Sequence, residues 1–310
     1  MKVVVSIPAF NEEETIASVI KSIPRDVAEE VFVVVVDDGS TDDSAKEARK
    51  AGADKVVRHK RNMGLACAFR RGIEEALALN ADVIVNIDAD GQYLGEEVRN
   101  LIKPIKDGEA DVVLGSRFTG SIEHMPITKR MGNMIATKIT TFLSGVRITD
   151  AQTGFRAFSR EAALRLNVLS DYTYTQETII QAAHAGLLIA EVPITFRRRD
   201  GKSRLIQSIF TYALRSGSTI LRTYRDYQPL RTFTIIGGLI FAVGLAFGSR
   251  VLLHYLKTGF VSPYIPSAIL TAVLLIIGFQ VVILALIADM VGSNRKILDE
   301  IRYTSRKRRE

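Results

Sequence analysis

Between residues 3 and 116 the chain alternates short, nearly unbroken apolar runs with stretches of helical periodicity, and no other feature narrows its fold as far. The runs are Val3 to Pro8, Val31 to Asp37, Lys55 to His59, Val83 to Asp88 and Asp111 to Gly115. Helical patterns lie near Glu12 to Ser22, Asp42 to Ala51, Gly64 to Leu79 and Gly95 to Lys106. A strand that is apolar on both faces must be covered on both, and strands alternating with helices are joined by crossovers. The expectation is an α/β domain with a mostly parallel sheet, whose ligands sit at the carboxyl ends of its strands.

The polar segments fall at those ends. Pro8-Ala9-Phe10-Asn11-Glu12 follows the first run, Asp37-Asp38-Gly39-Ser40-Thr41-Asp42 the second and Asp88-Ala89-Asp90-Gly91-Gln92 the fourth, while Arg61-Asn62-Met63-Gly64 opens the third helix. Singly these are ordinary turn chemistry, and Ser40 or Thr41 suits a helix cap. Together on one rim they indicate a binding site. The fourth segment is the most informative, because side chains two apart on an extended chain point the same way. Asp88, Asp90 and Gln92 are thus expected to converge on one hard cation, which prefers oxygen ligands. Two common phosphate loops are excluded. No G-x-G-x-x-G follows the first run, and Gly201-Lys202-Ser203 lacks the upstream glycine of a P-loop, that position being Phe196.

The last third of the chain differs in kind. Phe233 to Leu256 and Pro266 to Ala288 are each long enough, at about 1.5 Å per residue, to cross a hydrocarbon core of about 30 Å. The net charge of +7 is uneven: −5 over residues 1–196, +7 over 197–231 and +4 over 291–310. Because the loop Lys257 to Ile265 holds a single lysine, the positive-inside rule puts both flanks in the cytoplasm. The apolar run Val3 to Ile7 is too short for a signal peptide and leads into Glu12-Glu13-Glu14. The lone Cys67 allows no intrachain disulfide and reads as a small buried residue on a helix.

Two further stretches are amphipathic. Near Lys129 to Leu143, Met131, Met134, Ile135, Ile139 and Phe142 share a face, with Arg130 and Lys138 off it. From Ser203 to Tyr227 apolar residues recur at helical spacing, with Arg204, Arg215, Arg222 and Arg225 elsewhere. Packing into the core weighs more for the first stripe, and lying at the bilayer interface for the second. The expected organisation is a catalytic domain over 1–202, an interface helix over 203–230, two membrane spans over 231–290 and a basic tail over 291–310.

Taken in order, Pro8 to Glu12, Val36 to Asp42, Asn62 to Gly64, Asp88 to Gln92, Gly115-Ser116-Arg117 and Gln152-Thr153-Gly154-Phe155-Arg156 resemble inverting family-2 glycosyltransferases, and within them dolichyl-phosphate mannose synthases and polyprenyl-phosphate glucosyltransferases. The resemblance covers about residues 1 to 230. It implies a GT-A nucleotide-sugar-binding domain with interface amphipathic helices and two C-terminal transmembrane helices. It also implies a nucleotide-sugar donor, GDP-mannose or UDP-glucose, a polyprenyl or dolichyl phosphate acceptor in the bilayer, Mg2+ or Mn2+, and no nucleic-acid partner. Oligomeric state is left open.

By the same resemblance, Pro8, Ala9, Phe10, Glu12, Val36, Asp37, Asp38, Asn62 and Gly64 hold the nucleotide. Asp88, Ala89, Asp90 and Gln92 match the metal and diphosphate site. Ser116, Arg117 and Arg130 look like the acceptor-phosphate site, and Arg199 or Lys202 with Arg204 look like a loop closing over the donor phosphates. A processive polysaccharide synthase is disfavoured, since its Q-x-x-R-W element needs a tryptophan and the chain has none. A non-catalytic scaffold would be expected to lose Asp90 or Arg117. Transfer to a protein or soluble acceptor leaves the membrane spans without a catalytic purpose.

Overall fold

The computed structural model describes residues 1–168, 174–198 and 229–308. Seven strands build one sheet: β1 (Lys2–Ala9), β2 (Glu30–Asp37), β3 (Lys55–Arg58), β4 (Val83–Asn86), β5 (Val112–Ile122), β6 (Arg156–Ser159) and β7 (Ile189–Phe196). Their order is β3-β2-β1-β4-β6-β5-β7. All pairs are parallel except those of β6, which runs antiparallel to β4 and β5. Alternate residues of one strand go to opposite layers. Val3, Val5 and Ile7 join Val33, Val35 and Val85 in one core, and Val4, Val34 and Ile84 join Phe69 and Ile73 in the other. That two-sided burial is why the runs are unbroken.

The helices of this unit are α1 (Ile16–Ser22), α2 (Ser44–Lys50), α3 (Leu65–Ala78), α4 (Val98–Lys106), α5 (Ile127–Ser144), α6 (Arg160–Arg165) and α7 (Thr175–His184). The chain leaves β1 toward β2 and β3, then returns to its other side at β4. The strand order reverses there, and the crevice that a parallel sheet opens to ligands lies at the carboxyl ends of β1, β2 and β4.

Three expectations change. The fourth strand ends at Asn86, not Asp88, so the period-2 argument does not reach the acidic segment. Strands β6 and β7 were not foreseen, because Arg156 opens one and Glu191 and Pro193 interrupt the other. Helix α5 is also inverted relative to the core reading. It buries Asn133, Ala136, Thr137, Thr140 and Leu143, while Met131 at 58%, Ile135 at 58% and Phe142 at 68% are exposed. Its inward face is polar because it has polar work there: Thr137 accepts the Ala151 N–H at 3.0 Å, and Thr140 donates to the Ala136 carbonyl at 2.8 Å.

A second compact unit spans Leu221–Ile301. It contains α8 (Pro229–Thr258) and most of α9 (Ile265–Arg308). Phe233–Thr258 and Ile265–Gly292 have the length and apolarity to cross a membrane, and few of their residues are buried. The two helices approach backbone to backbone at Gly237 and Gly278. A Cβ on Gly237 would lie 2.8 Å from the Gly278 carbonyl oxygen, the kind of contact that small residues permit between spans.

The expected boundary at residue 290 is not an element boundary, since α9 runs through it. Arg302–Glu310 group with the first unit. Tyr303 donates to Glu161 at 2.9 Å, Arg306 donates to the carbonyls of Leu164 and Leu166, and the Arg165 guanidinium lies 4.3 Å from the Tyr303 ring centre. Burial works to raise the Glu161 pKa, but the bonds from Arg165 and Tyr303 outweigh it and hold the carboxyl below its usual range.

Candidate active site

The first two loops of the rim are laced together. The Asp38 N–H donates to the Ala9 carbonyl at 2.8 Å, Asn11 N–H to Ser40 Oγ at 2.9 Å, and Glu12 N–H to Ser44 Oγ at 2.7 Å. Asn11, held at a φ of 55°, returns the contact by accepting the Thr41 N–H at 2.8 Å. Pro8, Ala9 and Val36 are buried at the strand ends, Phe10, Glu12 and Gly64 are half-buried, and Asn62 is exposed.

Asp37 and Asp38, which the resemblance assigns to the nucleotide, are both engaged by groups of the protein itself. Asp37 is fully buried, accepts the Ser40 N–H at 2.9 Å and pairs with Arg58 at 3.1 Å. Asp38 accepts the N–H groups of Met63 and Gly64 at 2.9 and 2.8 Å and meets His59 Nδ1 at 2.7 Å. A carboxylate serving so many donors organises the 59–64 turn from beneath.

After β4 the backbone turns instead of continuing extended. The Asp90 carboxylate accepts the Gln92 N–H at 3.1 Å, and Gly91 takes a φ of +72°, which favours glycine. Thr15, a residue that sequence reasoning missed, pins this turn by donating to the Ala89 carbonyl at 2.7 Å. Gln92 is oriented by its amide nitrogen, which donates to the Arg197 carbonyl at 3.2 Å, beside the bridge from Tyr93 to Phe196. Asp88 and Asp90 are both half-buried on the same turn. Among the described residues no three His, Cys, Asp or Glu side chains gather for a metal. A pair of carboxylates suits Mg2+ or Mn2+ bound chiefly through water and substrate phosphate oxygens.

The expected acceptor residues divide. Ser116 is buried and its hydroxyl meets that of Thr149 at 2.6 Å. Arg117 does not offer its fork outward. Its Nε and Nη2 donate to Asp150 at 2.6 and 2.8 Å, and its backbone N–H to the same carboxylate at 3.1 Å. Burial opposes the charge on Arg117, but interactions with Tyr93 and Asp150 outweigh it and raise the pKa. The guanidinium is 5.0 Å from the Phe196 ring centre, with the Lys129 ammonium at 5.8 Å from the same ring. Arg130 is exposed in the first turn of α5, which carries no acidic residue.

Behind these groups stands a loop whose members sequence reasoning quoted in part and did not explain. Glu191 accepts the N–H of Thr149 at 2.9 and 2.8 Å and that of Asp150 at 3.0 Å. Arg156, fully buried, donates to the carbonyls of Thr153, Ala151 and Thr175 and to the Thr178 hydroxyl at 2.6 to 3.0 Å. Burial pushes its pKa down to about 10, so it stays charged at neutral pH. Tyr93 accepts the Gly154 N–H at 3.1 Å, and burial pushes the phenol up to about 12. Arg199, Lys202 and Arg204, and the interface helix expected over 203–230 as far as residue 228, lie outside the described residues.

Residues 4–166 match the model of glycosyl transferase family 2, and residues 206–292 that of the glycosyltransferase family 2 C-terminal transmembrane region. The UDP-N-acetylglucosamine–dolichyl-phosphate N-acetylglucosaminyltransferase of Methanococcus voltae is 33% identical, over 72% of this chain and 92% of its own length. The dolichol-phosphate mannosyltransferase of Pyrococcus furiosus is 32% identical over 76% and 68% respectively. Among solved structures, glucosyl-3-phosphoglycerate synthase from Mycobacterium tuberculosis, in complex with Mn2+, UDP and phosphoglyceric acid, superimposes with a TM-score of 0.53 at 25% identity, covering 70% of this chain and 78% of that one.

Proposed function

The chain belongs to glycosyl transferase family 2 and is a membrane glycosyltransferase, and from that premise we propose that it moves a hexose from a nucleotide-sugar to the phosphate of a polyprenol or dolichol, inverting the anomeric carbon. One observation carries the acceptor half. Helix α5 has Lys129 and Arg130 in its first turn and turns an apolar stripe outward, a surface suited to a substrate that is an anion at one end and a hydrocarbon at the other. Two spans return the chain to its starting side, and the basic flanks make that side cytoplasmic.

The chemistry needs little from a general base. A lipid monophosphate is largely dianionic at neutral pH, its second pKa being about 6. Its oxygen attacks the anomeric carbon as the bond from that carbon to the nucleoside diphosphate breaks. Lys129 and Arg130 hold the incoming anion, with the buried Arg117–Asp150 pair behind them. Asp88 and Asp90 hold a divalent cation, which when bound offsets the charge of the departing diphosphate. The Mn2+ and UDP held by the M. tuberculosis enzyme support that reading.

For the donor we propose GDP-mannose, supported by the P. furiosus relative and by the Asp88-to-Gln92 and Gly115-to-Arg117 segments. The M. voltae relative supports a UDP-sugar as second reading. Membranes carrying the chain, incubated in parallel with labelled GDP-mannose, UDP-glucose and UDP-N-acetylglucosamine and extracted into organic solvent, should yield labelled lipid from GDP-mannose. Lipid label from a UDP-sugar alone would overturn the mannose assignment and keep the reaction class. Label confined to aqueous or protein fractions would overturn the lipid acceptor.

The outward stripe of α5 makes its own prediction. In liposomes, an environment-sensitive fluorophore on a cysteine at Ile135 or Phe142, in a Cys67→Ser background, should report an apolar setting, and one at Lys103 on α4 a watery one. Ile135→Ser with Phe142→Ser should raise the apparent KM for lipid phosphate by about a hundredfold or more, as each large side chain buried contributes about 1.5–3 kcal/mol. Equal, watery emission at all three positions would assign the stripe to another role.

A further inference from the structure

Asp88 lies against a glycine that cannot retreat from it. A Cβ built on Gly154 would fall 2.8 Å from Asp88 Oδ1 and 2.9 Å from its Cγ, and closer still to Oδ2. The obstruction is spatial only, since Gly154 is absent from the positive-φ residues and its backbone is open to alanine. Both polar backbone atoms of Gly154 are held. Its N–H donates to the Tyr93 hydroxyl at 3.1 Å, and its carbonyl accepts from Asn86 Nδ2 at 2.9 Å and from the Tyr174 hydroxyl at 3.3 Å. The clamps are themselves fixed. Tyr174 stacks on Phe69 with ring centres 3.8 Å apart, Tyr93 packs between Phe155 and Phe196, and Arg156 anchors the loop just ahead of Gly154 through the carbonyls of Ala151 and Thr153.

We infer that Gly154 is a positioning residue for Asp88: the clamped backbone is the wall against which the carboxylate sets its angle toward the donor diphosphate. Any side chain at 154 displaces the carboxylate, because the backbone is the stiffer partner. Tyr93 belongs to the same device, since its hydroxyl holds the wall in place. The inference rests on the reading of Asp88 as a cation-bearing carboxylate.

The test is calorimetric titration of the purified full chain with GDP, and with UDP in parallel, each with and without Mn2+. Wild type should bind a nucleotide more tightly with Mn2+. Gly154→Ala should weaken Mn2+-supported binding by about tenfold or more, the usual scale for losing the support of a metal ligand, and leave metal-free binding unchanged. Tyr93→Phe keeps the ring and removes one hydrogen bond, so the same quantity should fall by about threefold, and this variant decides the matter if Gly154→Ala does not fold. Asp88→Asn is the control. If Asp88→Asn matches wild type, the cation reading falls and this inference falls with it. If Asp88→Asn is weakened while a folded Gly154→Ala, or failing that Tyr93→Phe, matches wild type, this inference alone is overturned.

Discussion

Asp90→Asn should lower turnover of the purified enzyme by about a thousandfold, a loss of roughly 4 kcal/mol of transition-state stabilisation, with the thermal midpoint unchanged within about 2 °C. The two halves of that expectation come from different contacts. In the fold, Asp90 accepts the Gln92 N–H at 3.1 Å, and asparagine keeps a carbonyl oxygen there. The side chain is half-buried, and asparagine has nearly the same size, so packing is kept. In the reaction, Asp88 and Asp90 are the segment's two carboxylates for a cation. Loss of one leaves the diphosphate poorly compensated as the bond to the sugar breaks. Steady-state rates across a Mn2+ series, with circular dichroism as the check on folding, would decide it. Near-normal turnover with unchanged metal dependence would remove Asp90 from the site.

The same turn shows how far the sequence could be read. The unbroken valine runs placed β1, β2 and β4 and so the rim, because two-sided burial leaves a pattern that composition alone preserves. The period-2 argument for Asp88, Asp90 and Gln92 does not hold, because that rule applies only while the chain stays extended, and β4 stops at Asn86. Helix α5 was misjudged for another reason. Periodicity shows that a helix has an apolar stripe and says nothing about which way it faces, and here Thr137 and Thr140 point in. Arg117, Asp150, Glu191 and Arg156 were misjudged or passed over because a charged residue reads as surface until its partner is known, and the partners lie 3 to 42 residues away. Arg156 lies on β6 and Glu191 on β7, which is why the alternation of those strands was hidden.

Asp150→Ala should cost the most stability of any substitution in the site. Arg117 is 4% exposed and Asp150 fully buried, joined through two side-chain hydrogen bonds at 2.6 and 2.8 Å. Removing the carboxylate strands a cation where burial already opposes its charge, a loss of about 3–5 kcal/mol for buried pairs of this kind. At about 2–4 °C per kcal/mol for a domain of this size, the midpoint should fall by roughly 10 °C. Arg117→Met should be comparably harmful, since it leaves a buried carboxylate accepting only backbone N–H groups. The double variant Arg117→Met with Asp150→Leu removes both charges and should cost well below the sum of the singles, which is the signature of a coupled pair. Arg130→Ala sets the contrast: exposed on α5, it should leave the midpoint alone and raise the apparent KM for lipid phosphate by about tenfold, the loss of a charge-assisted contact. Thermal unfolding of the four variants beside lipid-phosphate kinetics separates the roles. If Asp150→Ala melts within about 2 °C of wild type, the Arg117 charge has another buried partner, and the pair does not hold this wall of the site.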